Sequence, residues 1–129
     1  MAIGYYSDRP SDGGDSIDVG GGFAGGAEYG EDTIPANVET DIVTFTIPVG
    51  RYLKVTGGSA SGGTDTIFRF YVDGNVKEIK RNAWTDRNVI FGASATLTEG
   101  TVVTITAEHH SLIAHLTNAT LFGTLYISG

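Results

Sequence analysis

Residues 67–88, IFRFYVDGNVKEIKRNAWTDRN, restrict the possible folds more than any other stretch of the chain. Phe68, Phe70 and Val72 alternate with Ile67, Arg69 and Tyr71, the two-residue period of a β-strand. Asp73-Gly74 follows, with Asn75 behind it. Gly and Asx residues tolerate the positive φ that tight hairpin turns need, so this dipeptide predicts a hairpin. Its second strand, residues 76–81, carries Lys77, Lys80 and Arg81. Charges of this kind on a hairpin discourage pairing with other sheet edges. A polar loop then holds Trp84, the only Trp, and runs into Asp86-Arg87.

From Ile34 onward the same grammar repeats. Alternating apolar and Thr-rich runs predict strands at 38–47, 51–56, 67–72, 76–81, 89–91, 93–97, 101–107 and 118–127. Pro48-Val49-Gly50 and Glu99-Gly100 mark turns, and residues 57–66, GGSASGGTDT, read as a loop. Residues 108–117 read as a loop with a short apolar middle. Helix-forming runs of Ala, Leu, Glu and Lys are absent. Eight short strands in 34–129 predict an all-β, jelly-roll-like antiparallel β-sandwich. Its expected core is Val43, Phe45, Leu53, Val55, Phe68, Phe70, Val103, Ile105, Leu121 and Leu125. The 129 residues fit one such domain.

Residues 1–33 differ in kind. They hold seven acids against one base, Arg9, so −6 of the formal charge of −7 belongs to them. Runs such as Gly20-Gly21-Gly22 and Gly25-Gly26 oppose regular structure, and the segment reads as a flexible, acidic, Gly-rich extended arm. Tyr5, Tyr6, Ile17 and Phe23 are scattered along it as apolar anchors. Such an arm either orders against a partner or is a tail lying on its own domain. Its Asp-Gly pairs lack the spacing of a calcium loop, and no Gly-Lys-Ser/Thr marks a phosphate loop.

Several function classes lose support. There is no Cys, hence no disulfide, thiolate metal site or Cys nucleophile. Nucleic-acid binding needs clustered positive charge, and only Lys77, Lys80 and Arg81 come close. No apolar run is long enough to span a bilayer, and the N-terminus lacks a signal-peptide pattern, so folding in a cytoplasm is expected. His109 and His110, adjacent on a continuing strand, would point to opposite faces and share an ion poorly, so with His115 they are expected to be polar loop residues near a strand end. No Gly-x-Ser-x-Gly elbow is present. No catalytic, metal or cofactor site is expected. Trp84 is either a core lid or an interface anchor, and Arg87 pairs with Asp86 to order its loop or contacts a partner.

Three phrases in order carry a family resemblance: Phe45-Thr46-Ile47-Pro48-Val49-Gly50-Arg51-Tyr52-Leu53, Phe70-Tyr71-Val72-Asp73-Gly74 and Trp84-Thr85-Asp86-Arg87-Asn88. Over residues 34–129 the chain resembles small β-sandwich structural proteins of tailed bacteriophages, of the head-decoration (cement) and accessory virion type. The resemblance implies a non-enzymatic protein on the capsid surface of the virion, made in the host bacterial cytoplasm. It implies a homotrimer that bridges neighbouring major capsid proteins, with no nucleic-acid or membrane partner. Similar sandwiches in tail fibres and baseplates imply the alternative of a receptor- or carbohydrate-binding module. The arm is not part of the resemblance. Its expected role is to contact a neighbouring subunit or the capsid protein through Tyr5, Tyr6, Ile17 and Phe23.

Overall fold

The computed structural model describes residues 27–63, 65–82 and 88–128. Tyr5, Tyr6, Ile17, Phe23, Trp84 and Arg87 lie outside the described residues. Nine strands follow one another: β1 (Ala27–Ile34), β2 (Thr40–Thr46), β3 (Arg51–Ser61), β4 (Thr66–Val72), β5 (Asn75–Asn82), β6 (Asn88–Phe91), β7 (Ala95–Thr98), β8 (Val102–Glu108) and β9 (His115–Ile127). Among the described residues there is no helix.

The strands form two antiparallel sheets. One has the order β1-β9-β3-β6, with β7 also on β3, and the other the order β2-β8-β4-β5. The pairing is nested: β1 with β9, β2 with β8, β3 with β6 and β4 with β5. That is one long hairpin rolled up on itself, the topology of a jelly roll. The roll is completed by β3 on β9 and β4 on β8. The extra strand, β7, extends the edge that β6 begins.

The innermost pair of this nesting is the β4–β5 hairpin. Asp73 has φ 50° and Gly74 φ 79°, both positive as a two-residue hairpin turn of the primed type requires. The turn is fastened to β8: Asp73 N–H donates to the Val102 carbonyl at 2.8 Å, and Val102 N–H to Asp73 Oδ1 at 2.9 Å. The register shifts from Phe70↔Glu78 to Tyr71↔Val76, which leaves Lys77 as the extra residue of a β-bulge. β5 is an edge strand, and Lys77, Lys80 and Arg81 along it suit an edge that must not recruit another sheet.

Between the sheets lie Val43, Leu53, Val55, Phe68, Phe70, Val103, Ile105, Leu121 and Leu125, all buried as their alternation predicts. Phe45, expected with them, is only partly buried near the rim. Ile34, Ile42, Ile47, Ala60, Val89, Phe91, Ala107 and Ala119 complete the core among the described residues.

Three segments depart from the expectations, the shortest being residues 115–117, read as loop and found as the start of β9. Residues 27–33, read as part of the arm, are the ninth strand. β1 pairs with β9 from Ala27↔Phe122 to Ile34↔His115. Its Gly and acids gave it no strand signature; the exposed edge of β9 supplies the pairing that local sequence does not. Gly30 is needed there, because a Cβ would stand 1.9 Å from the Ile42 carbonyl oxygen of β2. The two sheets therefore close directly on each other along this edge. Residues 57–61, read as loop, are the second half of β3, held between β9 and β6. Small side chains are demanded there because Ala60 is buried and a Cβ on Gly58 would lie 2.9 Å from the Thr120 carbonyl.

Candidate functional site

The outer face of the four-stranded sheet carries a continuous polar network. Alternation buries Phe68 and Phe70 and turns Arg69 and Tyr71 outward. The register sets Arg69 against Thr106 and Tyr71 against Thr104. Glu39, just before β2, reaches over this face. Its Oε2 accepts the Tyr71 hydroxyl at 2.5 Å and the Thr106 hydroxyl at 2.6 Å, and lies 3.5 Å from Arg69 Nη1. The same Arg69 nitrogen donates to Glu108 Oε1 at 2.9 Å. Glu108 Oε2 lies 3.5 Å from His110, whose Nδ1 meets Asn37 Oδ1.

Partial burial alone would raise the pKa of Glu39. The hydrogen bonds from Thr106 and Tyr71 and the charge of Arg69 outweigh it and hold the carboxyl below its ordinary 4.5. The Tyr71 phenol is raised above 10.0, first by its hydrogen bond to Glu39, then by desolvation and the charge of Glu39. Beside this carboxylate lies a concavity of about 320 Å³ lined by Glu39, Asp41, Tyr71, Gly74, Thr104 and Thr106. An aromatic ring, two acids and two hydroxyls can accept hydrogen bonds from a polyhydroxylated ligand and cover its apolar face.

The opposite outer face, on the five-stranded sheet, has another chemistry. Tyr29, Thr120, Ser59 and Ile90 stand in one row across four strands. Tyr29 and Ile90 are exposed, as are Leu116 and Phe122 further along β9. Tyr52 and Tyr126, paired across β3 and β9, stack at 5.2 Å with an interplanar angle of 16°. Lys54 Nζ lies 5.4 Å from the Tyr126 ring centre. This surface is mostly small hydroxyls and aromatic or aliphatic side chains; its charges include Lys54 and Glu31, whose Oε1 accepts the Tyr29 hydroxyl at 2.7 Å.

His110 is exposed just past the end of β8, as expected of a polar loop residue, whereas His109 and His115 depart from that expectation. His109 is completely buried, and its Nε2 meets the Ile34 carbonyl at 2.9 Å. A carbonyl only accepts, so Nε2 carries the proton and Nδ1 takes the Ser111 N–H at 3.3 Å. His115 packs edge-on against it at 4.6 Å, with the Ser111 hydroxyl between the rings. His109 was misread because the strand face continues one residue past the end of β8, so it points inward while His110 points out. Among the described residues no third His, Cys, Asp or Glu joins this pair as a metal-holding group.

At the edge opposite Gly30 the sheets do not close. A cavity of about 660 Å³ opens between β5 and β7, walled by Val55, Phe70, Val72 and Leu97, with exposed Lys77 at its rim. The Glu78 carboxylate spans this edge, taking the Gly92 N–H at 3.0 and 3.2 Å. The bulge explains why Lys77 and Glu78, adjacent in sequence, both line one cavity. Nothing in the alternation of β5 announced it; Lys77 as the unpaired residue is legible only from the register.

No protein-family model matches the chain, and no curated protein matches it. Among solved structures, one similar chain is that in the crystal structure of dimeric latent PorU from Porphyromonas gingivalis, with 9% identity and a TM-score of 0.46. The aligned part covers 79% of this chain and 13% of that one. A likeness at this level carries no argument about function.

Proposed function

We propose that this chain is a non-enzymatic virion structural protein that decorates and stabilises a bacteriophage capsid by bridging major capsid proteins, acting as a homotrimer. Capsid and phage come from the resemblance of the three sequence phrases. The structural observation that supports an assembly role is the outer face of the five-stranded sheet. Exposed Tyr29, Ile90, Leu116 and Phe122 share this face with Ser59 and Thr120, and its charges are few, among them Glu31 and Lys54. Contiguous exposed apolar surface of this kind marks an interaction site, and low charge with aromatic residues is the composition of an interface centre. The test is to mix the purified chain with empty capsids and image them. Regular density at capsid lattice points is expected. Binding to host cells and not to capsids overturns the proposal.

One observation favours a second reading, a receptor- or carbohydrate-binding module of a tail fibre or baseplate. Tyr71 lies beside Glu39 and Asp41 at a concavity of about 320 Å³. A glycan array separates the readings: saturable sugar binding lost in Tyr71→Ala supports the second, and its absence removes it.

A further inference from the structure

Among the described residues, two apolar features far apart along the sandwich are left uncovered. The first is the tip of the loop between β8 and β9, where Leu112 is fully exposed and Ile113 70% exposed. This tip is held firmly from below. Ser111 Oγ lies 3.2 Å from the Ile113 carbonyl, 3.3 Å from His109 Nδ1 and against His115 Nε2, and His109 is itself buried. Two aliphatic side chains are thus presented to solvent on a fixed base, which lowers the entropy cost of ordering them in a contact. The second feature is the cavity of about 660 Å³ between β5 and β7. Its size lies in the range of about 300–1,000 Å³ common for binding pockets, and its walls are mostly apolar.

We infer that Leu112 and Ile113 of one copy enter the cavity walled by Val55, Phe70, Val72 and Leu97 of a second copy. The two sites cannot meet within one chain. The loop joins β9 at His115, whereas Val55 of the cavity pairs with Gly123, eight residues along, or roughly 27 Å at about 3.4 Å per residue. The contact is therefore between different patches and repeats around a ring or an antiparallel pair. Charge supports the same occupant. The cavity is lined by one base, Lys77, and one acid, Glu78, which is already engaged by Lys80 at 3.4 Å and by the Gly92 N–H. Lys77 has no acidic partner among the described residues. Beside the loop, β1 offers exposed Glu31 and Asp32, in register with Asn118 and Thr117 near the start of β9. Exposed acids on the strand beside the base of the tip complement the exposed Lys77 at the apolar cavity. The inference rests on the assembly reading for its biological setting alone, since the contact forms between copies of the purified chain.

Sedimentation velocity of the full chain over a wide concentration range tests it. The wild-type chain associates. Leu112→Asp/Ile113→Asp, which removes the tip, and Ala95→Trp, which fills the cavity, each weaken association by about tenfold or more, the loss expected for a buried anchor. Mixed in equal amounts, the two variants form a one-to-one complex and nothing larger, because one intact tip then has one intact cavity. Lys77→Glu, an exposed change that leaves the core untouched, also weakens association and serves if Ala95→Trp does not fold. Circular dichroism and urea midpoints confirm folding of each variant. A monomeric wild-type chain, or association unaffected by the tip and rim variants, overturns the inference. Neither outcome bears on whether the chain binds capsids, which the imaging experiment reads separately.

Discussion

Replacing Glu39 tests the reading of the polar face most directly. Glu39 Oε2 collects two hydroxyl donors and stands near Arg69, tying the segment before β2 to β4 and β8. A hydrogen bond to a charged group contributes about 1.5–3 kcal/mol where it is shielded. Here 35% of the Glu39 side chain is exposed, so solvent screening removes a good part of that. Thr106, only 3% exposed, would be left with a hydroxyl lacking its acceptor. Glu39→Ala is therefore expected to cost about 1–2 kcal/mol in urea unfolding at neutral pH. With an m-value of about 1–3 kcal/mol/M, the midpoint falls by roughly half to one molar. Glu39→Gln isolates the charge. The folded-state pKa of Glu39 is depressed, so the unfolded chain binds more protons in the acid range and stability rises with pH there. The charge-dependent gap between wild type and Glu39→Gln is thus full above the ordinary value of 4.5 and closes as pH falls through the lower folded value. A Glu39→Ala effect within about 0.5 kcal/mol, the spread of ordinary surface changes, would refute the reasoning. So would a Glu39→Gln gap that stays constant across the acid range.

Three further outcomes follow from the fold. Gly30→Ala forces a Cβ onto the Ile42 carbonyl, so it should destabilise by about 1–3 kcal/mol and speed hydrogen exchange in β1 before other strands; unchanged exchange there would count against the close crossing. On the proposed capsid role, deleting residues 1–26 should leave a folded sandwich with weaker, less salt-sensitive capsid binding, whereas deleting 1–33 removes most of β1 and should also lower the unfolding midpoint; equal midpoints would refute the role of β1. Leu121→Ala, at a fully buried position of β9, should cost about 2–5 kcal/mol in urea unfolding, and a loss below about 1 kcal/mol would mean that the site is not the core centre.

Strand positions, the β4–β5 turn and nine of the ten expected core side chains were readable because their cause is local. Period-two alternation places a side chain on one face whatever the partner strand is, and positive φ at Asp73-Gly74 needs no tertiary contact to be favoured. The strand at residues 27–34 and the second half of β3 were not readable. Their residues have poor strand propensity, and they are strands because β9 and β6 are beside them. The candidate surfaces depend on register in the same way. Glu39 is 32 residues from Tyr71 and 67 from Thr106. The register shift at Phe70/Tyr71 makes Lys77 a bulge residue, and the strand face continuing one residue past β8 buries His109. Sequence alone determined that the chain is an antiparallel β-sandwich with a chemically distinct N-terminal segment, since alternation, turn residues and charge are written one residue after another. Which edge closes on Gly30, which edge opens into a cavity, and which side chains share an outer face were decided by tertiary structure. Those properties come from pairing between strands far apart in the chain, where a shift of one residue turns every side chain to the other face.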